Sequence, residues 1–336
     1  MDPVSRERLF GFSGAFDSPV TLWGTVAVAA ALIAAPLVTL LLHRLGKIDD
    51  AAKRELMLRN ASWAVIAPAL LVPLLLGAAW WIAGLFVLSV LCLREFGRIT
   101  GLFREPLVMA AAYLGLASTY FGALDHWYAW FIGSTPVAVA AILAAAVLSD
   151  RPKGYVQRVA VATTGFVLFG TGLGHLALLA NDAQFRPMLF IILAAVEGND
   201  VFAYVFGKTL GRRKLCPNTS PGKTVAGAVG AVVCTTTLVV VLGHFLVTDG
   251  MARWWPHLVA AGVLVSVAGQ LGDLVISSVK RDVGIKDTGT LLPGHGGLLD
   301  RFDSLVFTAP VITYFIAYFR GIGTDQPSQI FTLGVG

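Results

Sequence analysis

Long apolar runs separated by short basic loops dominate the chain. Runs suited to crossing a bilayer, for which about 17–25 residues are needed, fall near 21–43, 62–78, 80–93, 106–124, 127–148, 156–179, 187–206, 224–247, 255–279 and 304–319. The pattern predicts an all-α, polytopic membrane protein of roughly ten transmembrane helices. The second and third helices are the hardest to separate, because the apolar run from Ala61 to Leu93 is continuous. The segment 44–60, RLGKIDDAAKRELMLRN, reads equally as a short amphipathic helix on the membrane surface and as a solvated loop with a helical turn.

Composition changes the picture by exclusion. Of the residues, 56% are hydrophobic and 13% charged, with a mean hydropathy of +0.76. A soluble domain normally carries about 25% charged residues, so that class is ruled out. The cations alternate from loop to loop: 20 of the 25 Lys and Arg fall in the loops around 44–59, 94–104, 151–158, 208–223 and 280–301. This bias predicts both termini outside and the loops 207–223 and 280–303 in the cytoplasm, as expected of a multi-pass protein of the cell (inner) membrane. A net charge of +5 and a pI of 9.2 then reflect anionic headgroups and nucleotides as partners rather than nucleic acid. The segment before Thr21 lacks the basic, apolar and cleavage-site pattern of a secretory signal. Cys92, Cys216 and Cys234 have no metal or redox spacing and read as reduced packing residues.

Polar chemistry is concentrated in two late blocks, so the chain is expected to divide into N-terminal scaffold helices (1–185) and a C-terminal catalytic region (186–336). In the stretch Ser277–Asp303, Lys280, Arg281, Lys286 and Arg301 suit phosphate oxygens, and Asp282, Asp287, Asp300 and Asp303 suit a divalent metal. Gly289, Gly294, Gly296 and Gly297 permit sharp turns around a ligand. Asp273 precedes Lys280 by seven residues in an apolar helix, about 10 Å inside its end. A carboxylate there costs roughly 2.5 kcal/mol or more unless it is paired, protonated or metal-bound. Helical spacing puts Asp273, Ser277, Lys280 and Arg281 on one face. The earlier block, Asp200–Lys223, places Tyr204 and Lys208 on the face of Asp200, with Glu197 one turn before it. For Tyr204 an interhelical hydrogen bond is the expected role. Ser220-Pro221-Gly222-Lys223 lacks Walker A spacing and reads as a turn offering backbone N–H groups and one ammonium.

The order S-x-x-K-R-x-x-x-x-K-D-x-G-x-x-x-P-G-H-G-G-x-x-D-R-x-D over 277–303 resembles the phosphatidate cytidylyltransferase family, also called CDP-diacylglycerol synthases. So do Asp200, Ala203, Tyr204, Gly207 and Gly211, then Lys214, Leu215 and Pro217, then Ser220, Pro221, Lys223 and Thr224. The resemblance implies transfer of CMP from CTP to phosphatidate with Mg2+ as cofactor. It implies Asp273 and Asp300 as metal carboxylates, followed by Asp200, Asp287 and Asp303, and makes Asp273, Asp300, Lys280 and Arg301 the catalytic set. Substrate contacts fall on Ser220, Lys223, Ser277, Arg281, Lys286, His295, Gly296 and Gly297, with His295 assigned to phosphate binding or loop structure rather than general base. The expected partners are CTP, a lipid phosphate and the membrane, and a homodimer is a candidate assembly. Two acids usual in the family are replaced by Ala226 and Ile276, and Glu197 is a candidate substitute. The alternatives are a cytidylyltransferase for a different lipid phosphate and, from another class, a secondary transporter of an anionic solute.

Overall fold

The computed structural model describes residues 1–246, 251–289, 296–324 and 326–332. It is helical, with ten helices among the described residues long and apolar enough to cross a membrane. A short α1 (Pro3–Phe10) is followed by α2 (Pro19–Arg44), α3 (Asp50–Leu76), α4 (Ala78–Ile99), α5 (Pro106–Leu124) and α6 (Tyr128–Leu148). The next span joins α7 (Tyr155–Gly165) to α8 (Leu173–Leu179) through a π-helical stretch, Phe166–Gly172. Then come α9 (Phe185–Leu210), a hairpin of β1 (Lys214–Cys216) and β2 (Ser220–Thr224), α10 (Val225–His244), α11 (Met251–Asp282) and α12 (Leu299–Phe319). The all-α, polytopic expectation holds, with the hairpin as its one addition.

Two local rules explain where the structure refines the spans. The continuous run from Ala61 is divided at Gly77, whose φ of 137° is open to glycine but strained for other residues. A side chain there would also meet the Leu9 carbonyl oxygen at 2.5 Å. The charged segment 50–60 is neither a separate surface helix nor a loop. Asp49 accepts a hydrogen bond from the Ala52 N–H at 2.8 Å, and the helix so capped continues directly into the span. At 27 residues, α3 is roughly 40 Å long and outreaches a hydrocarbon core of about 30 Å, so its polar first turns lie beyond the apolar layer.

The interior is built on α4, α5, α8 and α12. Trp81, Phe96, Phe131, Phe166 and Phe169 are buried there, and polar groups are satisfied locally. The Trp81 indole donates to the Leu176 carbonyl (3.1 Å), and Ser89 and Tyr120 share a 2.6 Å hydrogen bond. By contrast α2 is almost unburied within the protein, as suits a helix whose apolar surface faces lipid. Where α10 crosses α9, small residues replace bulk: a Cβ on Gly227 would lie 2.6 Å from the Ala203 carbonyl oxygen and 3.1 Å from Gly207 Cα. This close crossing sets the hairpin against the ends of both helices.

Candidate active site

The late polar blocks come together. Asp200, Ala203 and Tyr204 from α9, Ser220, Gly222 and Lys223 from β2, Gln270, Asp273 and Lys280 from α11, Asp287 from the following loop, and Asp300, Arg301 and Asp303 from α12 line one cavity of about 510 Å³. Each element has a reason to be where it is. The Thr224 hydroxyl caps α10 by accepting from the Gly227 N–H (3.1 Å), which fixes Lys223 one residue before the cap. Asp273 and Lys280 lie two turns apart on α11. Asp300 falls in the first turn of α12, where a carboxylate is favoured by the exposed N–H groups and the helix dipole.

Two carboxylate–lysine pairs define the electrostatics. Lys223 Nζ lies 2.5 Å from Asp273 Oδ2, and Lys280 Nζ lies 2.7 Å from Asp300 Oδ1. Asp273 Oδ1 also accepts from the Ser277 hydroxyl (3.1 Å), and Lys223 approaches the Gln270 carbonyl at 3.5 Å. Asp300 Oδ2 accepts from the N–H groups of Thr288 (2.9 Å) and Gly297 (3.0 Å), so this residue also organises the loop. Gly296 makes the turn beside it with φ of 80°, and a Cβ there would stand 2.9 Å from Asp300 Oδ2. Asp200, Asp273 and Asp303, from three different helices, line the same cavity. Arg301 Nε is buried and has no hydrogen-bond partner among the described residues.

The other candidate residues are distributed around this cavity. Ser277 is buried behind Asp273 rather than on the wall. Arg281 is exposed and ties the hairpin to the loop, donating from Nε to the Thr219 carbonyl and from a terminal nitrogen to the Ile285 carbonyl, both at 3.3 Å. Lys286 is exposed. His295 and Gly294 lie outside the described residues. Tyr204 does not make the expected interhelical bond: it is exposed at the cavity wall, and its hydroxyl accepts from Lys208 Nζ (3.2 Å) one turn on in the same helix. Glu197 faces an adjoining apolar groove of about 610 Å³ between α2, α3 and α9, alongside Asn60 and Trp63. The residue that sequence reasoning missed is Glu95 at the end of α4. Its Oε1 accepts from the Thr288 hydroxyl (2.9 Å) and its Oε2 from the Leu299 N–H (3.0 Å). The signal in the sequence is the Arg94-Glu95-Phe96 that closes an apolar helix, a point of resemblance to the family with no role attached to it.

The donor set fits Mg2+ in kind. Among the described residues no ready-made cluster of three ligating His, Cys, Asp or Glu side chains exists. Mg2+ does not require one, since it keeps several waters and is commonly held by one or two carboxylates together with substrate phosphates. Asp200, Asp273 and Asp303 line one cavity, and a bound cation would offset the negative charge they concentrate there.

The cavity combines clustered carboxylates, lysines and an arginine whose Nε is buried without a partner among the described residues, in a protein with ten helices long and apolar enough to cross a membrane among those residues. Comparison with known proteins makes this specific. Residues 57–319 match the model of the "Cytidylyltransferase family", and the chain belongs to that family. Among its relatives, "Uncharacterized protein YnbB" of Escherichia coli (strain K12) is 34% identical over 300 residues, covering 86% of this chain and 97% of that protein. A "Phosphatidate cytidylyltransferase" of Bacillus subtilis (strain 168) is 32% identical over 220 residues, 63% of this chain and 81% of that protein. One of Staphylococcus aureus (strain COL) is 44% identical over 141 residues, 42% of this chain and 53% of that protein. The chain is thus a multi-pass membrane transferase that uses CTP.

Proposed function

We propose that the protein transfers CMP from CTP to the phosphate of a membrane lipid, with phosphatidate as the acceptor, giving CDP-diacylglycerol and pyrophosphate in phospholipid biosynthesis. The observation that carries this reading is the pair of carboxylate–lysine contacts, Asp273–Lys223 and Asp300–Lys280, on the wall of one cavity at the end of the helices. Each pair holds an acid suited to a metal and a cation suited to a phosphate. Binding of a metal–nucleotide complex would exchange those partners.

In the proposed reaction a phosphate oxygen of the lipid bonds to the α-phosphorus of CTP. The bond from that phosphorus to the bridging oxygen breaks, and pyrophosphate leaves with the electron pair. A phosphate monoester is already largely ionised at neutral pH, its second pKa being near 6, so no general base is required. The work left to the protein is to hold two polyanions together and to stabilise charge on the leaving group. Lys223, on a capped hairpin end, and Lys280 are placed to take phosphate oxygens. Arg301, with its unsatisfied buried Nε, is placed to take another. Asp273 and Asp300, with Asp200, Asp287 and Asp303, would hold Mg2+, which would supply neutralising charge on the phosphates. The cavity lies on the side bearing most of the cations, which supports a cytoplasmic site in the cell membrane.

A second acceptor remains in view because Ala226 and Ile276 stand where related enzymes carry acids, and Ile276 is fully buried. The test is an acceptor panel. Purified protein with labelled CTP and Mg2+ is expected to form labelled CDP-lipid with phosphatidate. Turnover of another lipid phosphate with none of phosphatidate would reassign the substrate, and failure with every acceptor would favour transport of an anionic solute.

A further inference from the structure

We infer that Glu95 is a positioning residue that latches Thr288 and the start of α12 at Leu299 into their working arrangement; this rests on the reading of the cavity as the transfer site. Glu95 belongs to α4, far from the catalytic blocks in sequence, yet its two carboxylate oxygens hold two separate pieces of the late loop. Oε1 accepts from the Thr288 hydroxyl at 2.9 Å and Oε2 from the Leu299 N–H at 3.0 Å. The second contact satisfies one of the N–H groups that the first turn of α12 would otherwise leave open. It places a negative charge at that end of the helix, where the dipole favours it. Leu299 immediately precedes Asp300 and Arg301, so fixing its amide fixes where both side chains start.

Three features show that the contact is built in. Glu95 is only partly exposed, and Gly297 and Gly289 pack against its carboxylate; a Cβ on Gly289 would meet Oε1 at 2.5 Å, and one on Gly297 would overlap it. Those glycines are therefore needed for close approach as well as for turning. Thr288 Oγ1 also lies 3.0 Å from Asp300 Oδ2. Its single proton can serve only one of the two carboxylates at a time, which links Glu95 to Asp300 through one hydroxyl. Asp300 in turn holds Lys280. A chain of contacts thus runs from the N-terminal helices to both members of a proposed catalytic pair, and a carboxylate at the cytoplasmic end of α4 acquires a task.

The test uses the full-length protein in detergent or nanodiscs and two readouts. In hydrogen–deuterium exchange without substrate, Glu95→Gln places an NH2 group against one of the two donors, so amides across 296–300 are expected to exchange at least tenfold faster, with α10 unchanged. Thr288→Val, which removes only the bridging hydroxyl, should give a smaller acceleration of the same amides. In turnover, Glu95→Gln should lower kcat by about 10- to 100-fold, the scale of a misplaced catalytic group. Glu95→Asp should recover part of this, and adding Thr288→Val to Glu95→Gln should cost little more. Unchanged exchange at 296–300 in both variants would overturn the latch whatever the activity. If the parent protein turned over no lipid phosphate, the reaction assignment would fail while the exchange result still decided the latch. Should Glu95→Gln not fold, Thr288→Val alone carries the exchange test.

Discussion

Lys223 on the hairpin and Asp273 on α11 meet at 2.5 Å, joining two elements separated by an entire transmembrane helix. The relationship gives each residue a double role, because Lys223 and Asp273, like Lys280 and Asp300, are each already held by a partner of opposite sign. If Asp273 holds the metal, Asp273→Asn keeps size and loses the charge. Turnover is then expected to fall on the order of 100-fold or more, with a higher Mg2+ requirement and an unchanged melting temperature. Near-normal activity across a Mg2+ titration would remove Asp273 from the metal site.

The two lysines should separate under alanine substitution. Lys280 is the more buried and its partner Asp300 is nearly inaccessible, so Lys280→Ala leaves a buried carboxylate short of a donor and should cost roughly 1–3 kcal/mol as well as activity. Lys223→Ala removes a more exposed partner and should cost about 1 kcal/mol or less while raising KM for CTP. Thermal unfolding alongside initial rates checks the contrast; equal melting temperatures in the two variants would contradict it.

Gly227 should tolerate no side chain. Given its approach to Ala203 and Gly207, Gly227→Ala is expected to destabilise by roughly 1–3 kcal/mol and to lower activity, because it pushes the capped end of α10 and Lys223 away from α9. A variant with parental stability and rate would show that the α9–α10 crossing does not position the hairpin.

Glu197 and Asp200 should not be equivalent. Asp200 lines the polar cavity and Glu197 the neighbouring apolar groove. Asp200→Asn is expected to reduce turnover strongly and Glu197→Gln less than about threefold, on the scale of a peripheral contact. A collapse of activity in Glu197→Gln would instead support its role as the replacement for the acids absent at 226 and 276.

The pattern of apolar runs sufficed for the fold because each span must satisfy its own backbone hydrogen bonds in lipid, which leaves length and hydropathy as the deciding variables. The pattern places the division between the second and third spans at residue 79, and it falls at Gly77, since a single glycine inside a continuous apolar run shows its consequence only when Leu9 packs against it. The candidate residues in the two late blocks were legible from charge and spacing, and most of them meet at one cavity. Pairings across elements were not. Nothing in the spacing links Lys223 to Asp273, or Glu95 to a threonine 193 residues away, because such contacts are created by helix packing. Tyr204 misled in the other direction: its i+4 lysine offered a partner within the same helix, so no second helix was required.

Sidedness is tested by labelling. With Cys92, Cys216 and Cys234 replaced, a cysteine at Thr219 or at Lys286 is expected to resist an impermeant maleimide in intact cells and to react after permeabilisation, because both loops lie on the cation-rich side. Labelling of both in intact cells would place the cavity on the opposite face.

The central claim is transfer of CMP to a lipid phosphate. Its most direct measurement is the simultaneous yield of pyrophosphate and lipid-linked CMP from purified protein given CTP, Mg2+ and phosphatidate in mixed micelles. One pyrophosphate per CDP-lipid, abolished in Asp273→Asn, is the result expected. Folded protein that releases no pyrophosphate and forms no CMP-linked lipid with phosphatidate or any other lipid phosphate would contradict it.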